Sequence, residues 1–293
     1  MKDLMLLVFI TLAACFTPIF GKITVSEISP LSLGFFRFGV AAVLFYITLK
    51  LRRGNLKFDK KDYPKLIFLA ILCIPLNQFF FLNGIKLSYA SHSGIIYAMN
   101  PVYAYIIAVL RKSEKFYYIK LAAILLTVVG IFFVFYENLT QTQLESNVLT
   151  GDILLIFAVL TFSSYLSFGK EIIEKYGALK VQAYVFLLGS ALYIPLFIYD
   201  LPNLTFVNLT MMGVIGYLFL TVIVAYLAYF VWYYALKTIQ LSKLTTLSNL
   251  APILTVIFSV IFLSEKISTY FIIGGIITIT GVLIMHRATL ELN

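Results

Sequence analysis

A chain that carries the same stretch twice must house both copies in equivalent surroundings. Gly84–Phe133 lies without a gap over Ala235–Ile284 at a shift of 151 positions. Ten pairs are then identical: Lys86/Lys237, Ser91/Ser242, Pro101/Pro252, Ile106/Ile257, Val109/Val260, Ser113/Ser264, Glu114/Glu265, Lys115/Lys266, Thr127/Thr278 and Gly130/Gly281. The copies share punctuation: a proline inside an apolar run, a Ser-Glu-Lys where that run ends, and a glycine late in the next run. A repeat of this kind sets the whole fold. Its units are too long and too apolar for the stacked turns of a solenoid.

Composition says what the repeat is made of. The 293 residues are 61% hydrophobic, 12% charged and have a mean hydropathy of +0.99. A soluble domain is about 45–50% apolar and about 25% charged. No soluble core absorbs this excess, so the chain belongs to the polytopic membrane class. The net charge of +9 is then a matter of topology and anionic headgroups, not of nucleic acid, and no basic–aromatic face suited to nucleic acid is present. Cys15 and Cys73 fall inside apolar runs. They read as small buried residues, and with no spaced His or Asp co-ligand they make no metal site. Leu12–Cys15 matches a short lipoprotein cleavage consensus, but the apolar run continues to Phe20, so the segment reads as a membrane helix.

A membrane helix needs about 20 predominantly apolar residues. The expected spans are 4–21, 31–50, 64–83, 88–110, 116–136, 152–169, 181–199, 209–231, 242–263 and 269–286. Pro30 and Pro64 suit first turns. Gly21 and Gly169, each followed by Lys, suit helix ends. The polar stretch Glu137–Gly151 separates two halves, expected at 1–145 and 146–293. With the N-terminus in the cytoplasm, 18 Lys and Arg fall on cytoplasmic ends against 3 on the other side, a strong positive-inside bias. Both termini are then cytoplasmic and the chain sits in the cell inner membrane. Five spans per half is odd, so the second half is inverted. Charge agrees: Arg111-Lys112 becomes Phe262-Leu263 and Lys120 becomes Phe271 in the second copy. An inverted duplication of this kind is the architecture of secondary transporters.

These residues resemble the EamA-type branch of the drug/metabolite transporter (DMT) superfamily over essentially the whole chain. The resemblance is carried by Asn100-Pro101 through Ser113-Glu114-Lys115 and Gly130, and by Ala251-Pro252 through Ser264-Glu265-Lys266, Gly274-Gly275 and Gly281. Phe36-Arg37-Phe38 and Ala235-Leu236-Lys237 add to it. It implies an all-α integral membrane protein of ten helices in two inverted five-helix repeats, a central cavity, and export or exchange of small organic metabolites.

Pro101 and Pro252 are expected to kink their helices and mark the binding region. Polar groups at membrane depth usually face a cavity. The substrate-facing set expected here is Asn77 and Gln78; Ser93, Tyr97 and Asn100, which share a helix face; Ser164 and Tyr165; Tyr229 and Trp232; and Thr245, Ser248 and Asn249. Interhelical hydrogen bonding is the competing role for each. Arg37 lies roughly 10 Å into its helix; it is either a structural anchor or a site for a substrate carboxylate. His92, near the external end of its helix, is either a titrating group or a hydrogen-bonded interface residue. Glu114 and Glu265 mark equivalent helix ends and are expected to act as gating locks. All thirteen acids fall in loops, tails or helix ends, so no mid-membrane carboxylate offers a proton relay. An enzyme would need a nucleophile–base pair, a metal cluster or paired carboxylates at depth, and none is visible; no cofactor is implied. The expectation is a transporter, monomeric, with membrane lipid and a small-molecule substrate as its partners. Amino acids, aromatic ones included, come first as substrates. Nucleobases, amphiphilic drugs and lipid-linked-sugar flipping are the alternatives.

Overall fold

A computed structural model describes residues 2–140, 146–204, 209–232 and 250–292. Among the described residues, ten apolar helical segments follow one another. α1 is Lys2–Val25 and α2 is Pro30–Leu51. α3 runs Tyr63–Ile71, passes through a π-helical turn at Leu72–Leu76 and resumes as Asn77–Leu87. α4 comes in two pieces, Ala90–Tyr97 and Asn100–Leu110. α5 is Tyr118–Thr140, α6 Ser146–Tyr176 and α7 Ala178–Asp200. α8 begins as Met211–Leu218, widens to a π-helix over Phe219–Ala228 and continues to Trp232. α9 is Leu250–Leu263 and α10 is Thr269–Leu292. Nine of these are long and apolar enough to cross a membrane, and α9 is a shorter apolar helix. No strand occurs among the described residues.

Local chemistry explains most of the boundaries. Pro30 and Pro64 occupy first turns, where the missing N–H is no loss. α6 departs from expectation: it starts six residues before the expected 152 and ends seven after 169. Gly21 and Gly169 are not terminators, because α1 and α6 run straight through them. A glycine ends a helix by turning left-handed, and among the described glycines only Gly177, with φ +81, does so. It sits between α6 and α7. Helical polar residues on both sides of the apolar run make α6 longer than hydropathy alone suggests.

The two halves pack as mirror roles in one scheme. Let each helix of the first half correspond to the helix five places later. The contacts α5·α10, α2·α7 and α4·α9 each map onto themselves. The contact α3·α6 maps onto α8·α1, α4·α6 onto α9·α1, and α3·α7 onto α8·α2; all of these are made. The packing therefore has a pseudo-twofold axis.

The α5–α10 contact shows the direction of that axis. A Cβ on Gly130 would lie 2.3 Å from Oγ1 of Thr278, and a Cβ on Gly281 would lie 2.4 Å from Oγ1 of Thr127. The earlier residue of one helix meets the later residue of the other, so α5 and α10 run antiparallel. Since they are equivalent helices, the repeats are inverted. Small residues let the two backbones touch, which is how helices associate in lipid.

Side chains define two ends of the bundle. At one, Lys22 Nζ donates to the Ser88 carbonyl (2.5 Å), Ser32 Oγ donates to Asp200 Oδ2 (2.7 Å) and Thr210 Oγ1 donates to Glu27 Oε1 (2.6 Å). At the other, Glu171 pairs with Lys65 (2.5 Å) and Arg111 (2.8 Å), and Lys175 pairs with Asp59 (2.6 Å) and Asp62 (2.7 Å). Between the ends lies an aromatic core in which Phe186 packs edge-on against Phe38 and Phe45.

Candidate functional site

Arg37 is the starting point, because burying a guanidinium in lipid-facing protein is costly unless its donors are met. Seven residues into α2, it is 3% exposed. Its Nε donates to the carbonyl oxygen of Leu220 (3.0 Å) and its Nη1 to Oε1 of Gln78 (3.3 Å). Gln78 Nε2 donates to Oδ1 of Asn77 (2.6 Å), and Asn77 Nδ2 donates to the carbonyl of Ala158 (2.8 Å). One hydrogen-bonded chain thus links α8, α2, α3 and α6. Its members sit at backbone irregularities. Leu220 is in the π-helical part of α8. Asn77 and Gln78 directly follow the π turn of α3, which contains Pro75. A proline cannot donate to the helix ladder, and π turns cluster at functional positions.

Beside this chain lies a cavity of about 330 Å³. Of the residues expected to face substrate, Asn77, Gln78, Tyr97, Asn100, Tyr229 and Trp232 line it, together with Arg37 and Pro252. Arg37 is the one charged side chain among the described lining residues. Apolar and aromatic surface, including Phe81 and Phe162, supplies most of the remainder.

Pro101 does more than kink its helix. α4 stops at Tyr97 and restarts at Asn100, which puts Pro101 in the first turn of the second piece. The crossing is broken, and Ser163 Oγ of α6 donates to Oδ1 of Asn100 (2.5 Å) beside the break. Pro101 and Pro252 both line a second, smaller cavity of about 120 Å³. Gly94 lets α9 approach: a Cβ there would lie 3.2 Å from the carbonyl oxygen of Pro252.

Other expected residues turn elsewhere. Tyr165 is fully buried and its hydroxyl donates to Gln182 Oε1 (2.7 Å). Ser164 Oγ donates to the carbonyl of Leu160 (2.8 Å). Ser93 is buried, with no hydrogen-bond partner for Oγ among the described residues. Thr245, Ser248 and Asn249 lie outside the described residues. His92 is at the bundle end, with Nδ1 2.9 Å from Asp152 Oδ2 and its ring stacked on Phe271. Asp152 is fully buried and also accepts from Ser88. Asp152 and Asp200, both expected at helix ends, are interior groups, and Asp152 lies within α6. Glu114 pairs with Lys120 (3.3 Å) within its own half. Glu265 crosses to the other half, its carboxylate accepting from the backbone N–H of Ala90 (2.7 Å) and Ser91 (3.0 Å). No group of His, Cys, Asp and Glu suited to a metal ion occurs among the described residues.

α1 was missed. Thr11, Thr17 and Pro18 line the cavity, as does Thr255 of α9. Pro18 is a proline inside an apolar run, the same signal that singled out Pro101, but it has no counterpart in the second half.

Comparison with known proteins agrees with this architecture. The family model described as the EamA-like transporter family matches residues 1–136 and 149–287. An uncharacterized transporter of Archaeoglobus fulgidus is 29% identical over 266 residues, covering 90% of each chain. The uncharacterized transporter YyaM of Bacillus subtilis (strain 168) is 26% identical, covering 90% of this chain and 86% of its own. A protein of known crystal structure, 14% identical, has the same fold with a TM-score of 0.68 over 100% of this chain and 99% of that one. The chain belongs to the EamA-like transporter family.

Proposed function

We propose that this chain is a secondary transporter of small organic metabolites, in which a unit of residues 1–145 rocks against a unit of residues 146–293 about the central cavity. The observation that carries the reading is where the cavity wall comes from. α1, α2, α3 and α4 of the first half line it, and so do α6, α8 and α9 of the second. Any relative motion of the halves therefore reshapes the wall, as alternating access requires. The break in α4 and the π-helical parts of α3 and α8 put the non-standard backbone at the cavity, where such backbone is tolerated in a membrane protein.

The lining favours compact solutes with flat or apolar parts, and amino acids, aromatic ones included, come first. The proposed transport is export or exchange across a cell inner membrane, and the charge distribution fits an orientation with the Lys- and Arg-rich end in the cytoplasm. The test is counterflow in proteoliposomes holding the purified full chain, with a panel of amino acids, nucleobases and related metabolites. It is run with and without a pH gradient. Accumulation of a labelled solute against a preloaded one is expected; a panel that stays flat throughout overturns transport. Orientation is read separately. In intact cells, a cysteine replacing Asn203 is expected to react with an impermeant thiol reagent, and one replacing Asn55 is not.

A further inference from the structure

We infer that the cavity takes organic monocarboxylates, held by the Arg37 guanidinium, in preference to zwitterions and amines. The inference rests on the transport reading and, within small organic metabolites, puts monocarboxylates ahead of the amino acids ranked first there.

Charge is the first argument. Arg37 is the one formal charge among the described residues of the wall. No carboxylate among the described residues pairs with it, and the segment 233–249 carries no Asp or Glu. Both groups that accept from it, the Leu220 carbonyl and the Gln78 amide, are neutral. A buried cation held only by neutral dipoles retains its desolvation cost until an anion arrives. A monocarboxylate brings the site to net zero. A zwitterion leaves it at plus one and puts an ammonium where the described wall has no acid. An amine brings two cations together.

Geometry is the second. The Leu220 and Gln78 contacts fix the guanidinium plane through Nε and Nη1, and among the described residues nothing accepts from Nη2. A guanidinium held in this way is already oriented for a carboxylate, with little rotamer freedom left to lose. Tyr97 and Tyr229 line the same cavity as the guanidinium. With Phe81 and Trp232 they give an aromatic surface for the remainder of the acid.

The chain has one tryptophan, Trp232, and it lines the cavity. Its fluorescence therefore reports occupancy without a label. The full chain is titrated in lipid nanodiscs with three compounds that share a phenylethyl body: 3-phenylpropionate, phenylalanine and phenethylamine. The expected order of affinity is acid, then amino acid, then amine, with at least a tenfold gap between the first and the last. Arg37→Gln is expected to abolish the preference for the acid, and Arg37→Lys to retain part of it. Should Arg37→Gln not fold, the order in the unaltered chain still decides. Equal or tighter binding of the amine, or no response to any of the three, overturns the proposal. Counterflow of the same compounds separates the two readings. Movement of phenylalanine or phenethylamine without the acid sinks the carboxylate site and leaves transport standing. Acid binding with no flux of any solute sinks transport instead.

Discussion

His92 and Asp152 form a buried pair across the two halves, Nδ1 to Oδ2 at 2.9 Å, with neither side chain more than 5% exposed. Among the groups around them are Ser88, which donates to Asp152, the Tyr89 and Phe271 rings against the imidazole, and Lys22 on the Ser88 carbonyl. Removing one member of such a pair strands the other in a poorly solvating interior. Asp152→Ala is therefore expected to destabilise the chain by about 3–5 kcal/mol. The double change with His92→Ala is expected to cost less than the sum of the single changes, because the stranded partner is gone. Thermal unfolding of the four proteins in detergent measures this. Strict additivity would mean that the two residues do not act as a pair.

The α5–α10 seam makes a paired prediction. A Cβ on Gly130 meets backbone as well as side chain, with the Thr278 nitrogen at 2.5 Å and the Gly274 oxygen at 2.7 Å. A Cβ on Gly281 meets the Ala123 oxygen at 2.8 Å and the Thr127 nitrogen at 2.9 Å. Backbone cannot swing aside, so the helices must separate. Gly130→Ala and Gly281→Ala are each expected to cost about 1–3 kcal/mol, the usual range for overpacking, and by similar amounts. Removing the hydroxyl with Thr278→Ala is not expected to rescue Gly130→Ala. A large loss from one glycine and none from its counterpart would contradict reciprocal packing.

Much of this arrangement is legible in the amino-acid sequence, for a specific reason. Lipid forces long apolar runs, and the 151-residue shift exposes which runs are equivalent. Pro101 was legible too, since a missing N–H matters wherever water is absent, whereas Pro18 and Pro75 carry the same signal and were not singled out. What could not be read was direction within a helix. Tyr165 and Tyr97 are both tyrosines deep in apolar runs, yet one bonds to Gln182 in the core and the other lines the cavity. Asp152 looked like a solvated helix end because polar neighbours precede it. Burial came from Gly151, whose missing side chain lets α6 approach the end of α3, where a Cβ would lie 2.6 Å from the Ser88 nitrogen. Close approach between distant segments leaves no periodic trace in the chain.

At the basic end, the Lys175 ammonium and the Tyr176 hydroxyl hold the Asp59 carboxyl below its ordinary value. A carboxylate with a depressed folded value stabilises the fold above its unfolded value, about 3.9. That contribution disappears as pH falls through the folded value. The pair is exposed, so the effect on global stability is small. The expected sign is that acidification below about pH 4 frees the segment joining α2 and α3 while the helices stay intact. Hydrogen exchange at residues 54–62 across that range reads it, and Lys175→Met is expected to reduce the pH dependence there, leaving the part due to Tyr176.

Glu265 offers a test of how the halves are latched. From the connection between α9 and α10 it reaches across and accepts from the first two N–H groups of α4's first piece, Ala90 at 2.7 Å and Ser91 at 3.0 Å. Those donors have no partner within their own helix, and a negative charge there also complements the helix dipole. Glu265→Ala is expected to cost about 0.5–2 kcal/mol, as for loss of a helix cap. If the cap also holds this end shut, its loss has a second consequence: more time with α4 and α9 apart. Cys15 and Cys73 are buried and free, so a Ser91→Cys probe has a quiet background. Its reaction with an impermeant thiol reagent is expected to accelerate severalfold on Glu265→Ala. Glu265→Gln, which retains one carbonyl acceptor, is expected to give a smaller increase. An unchanged labelling rate alongside a lowered melting temperature would leave Glu265 a helix cap with no part in closing the bundle.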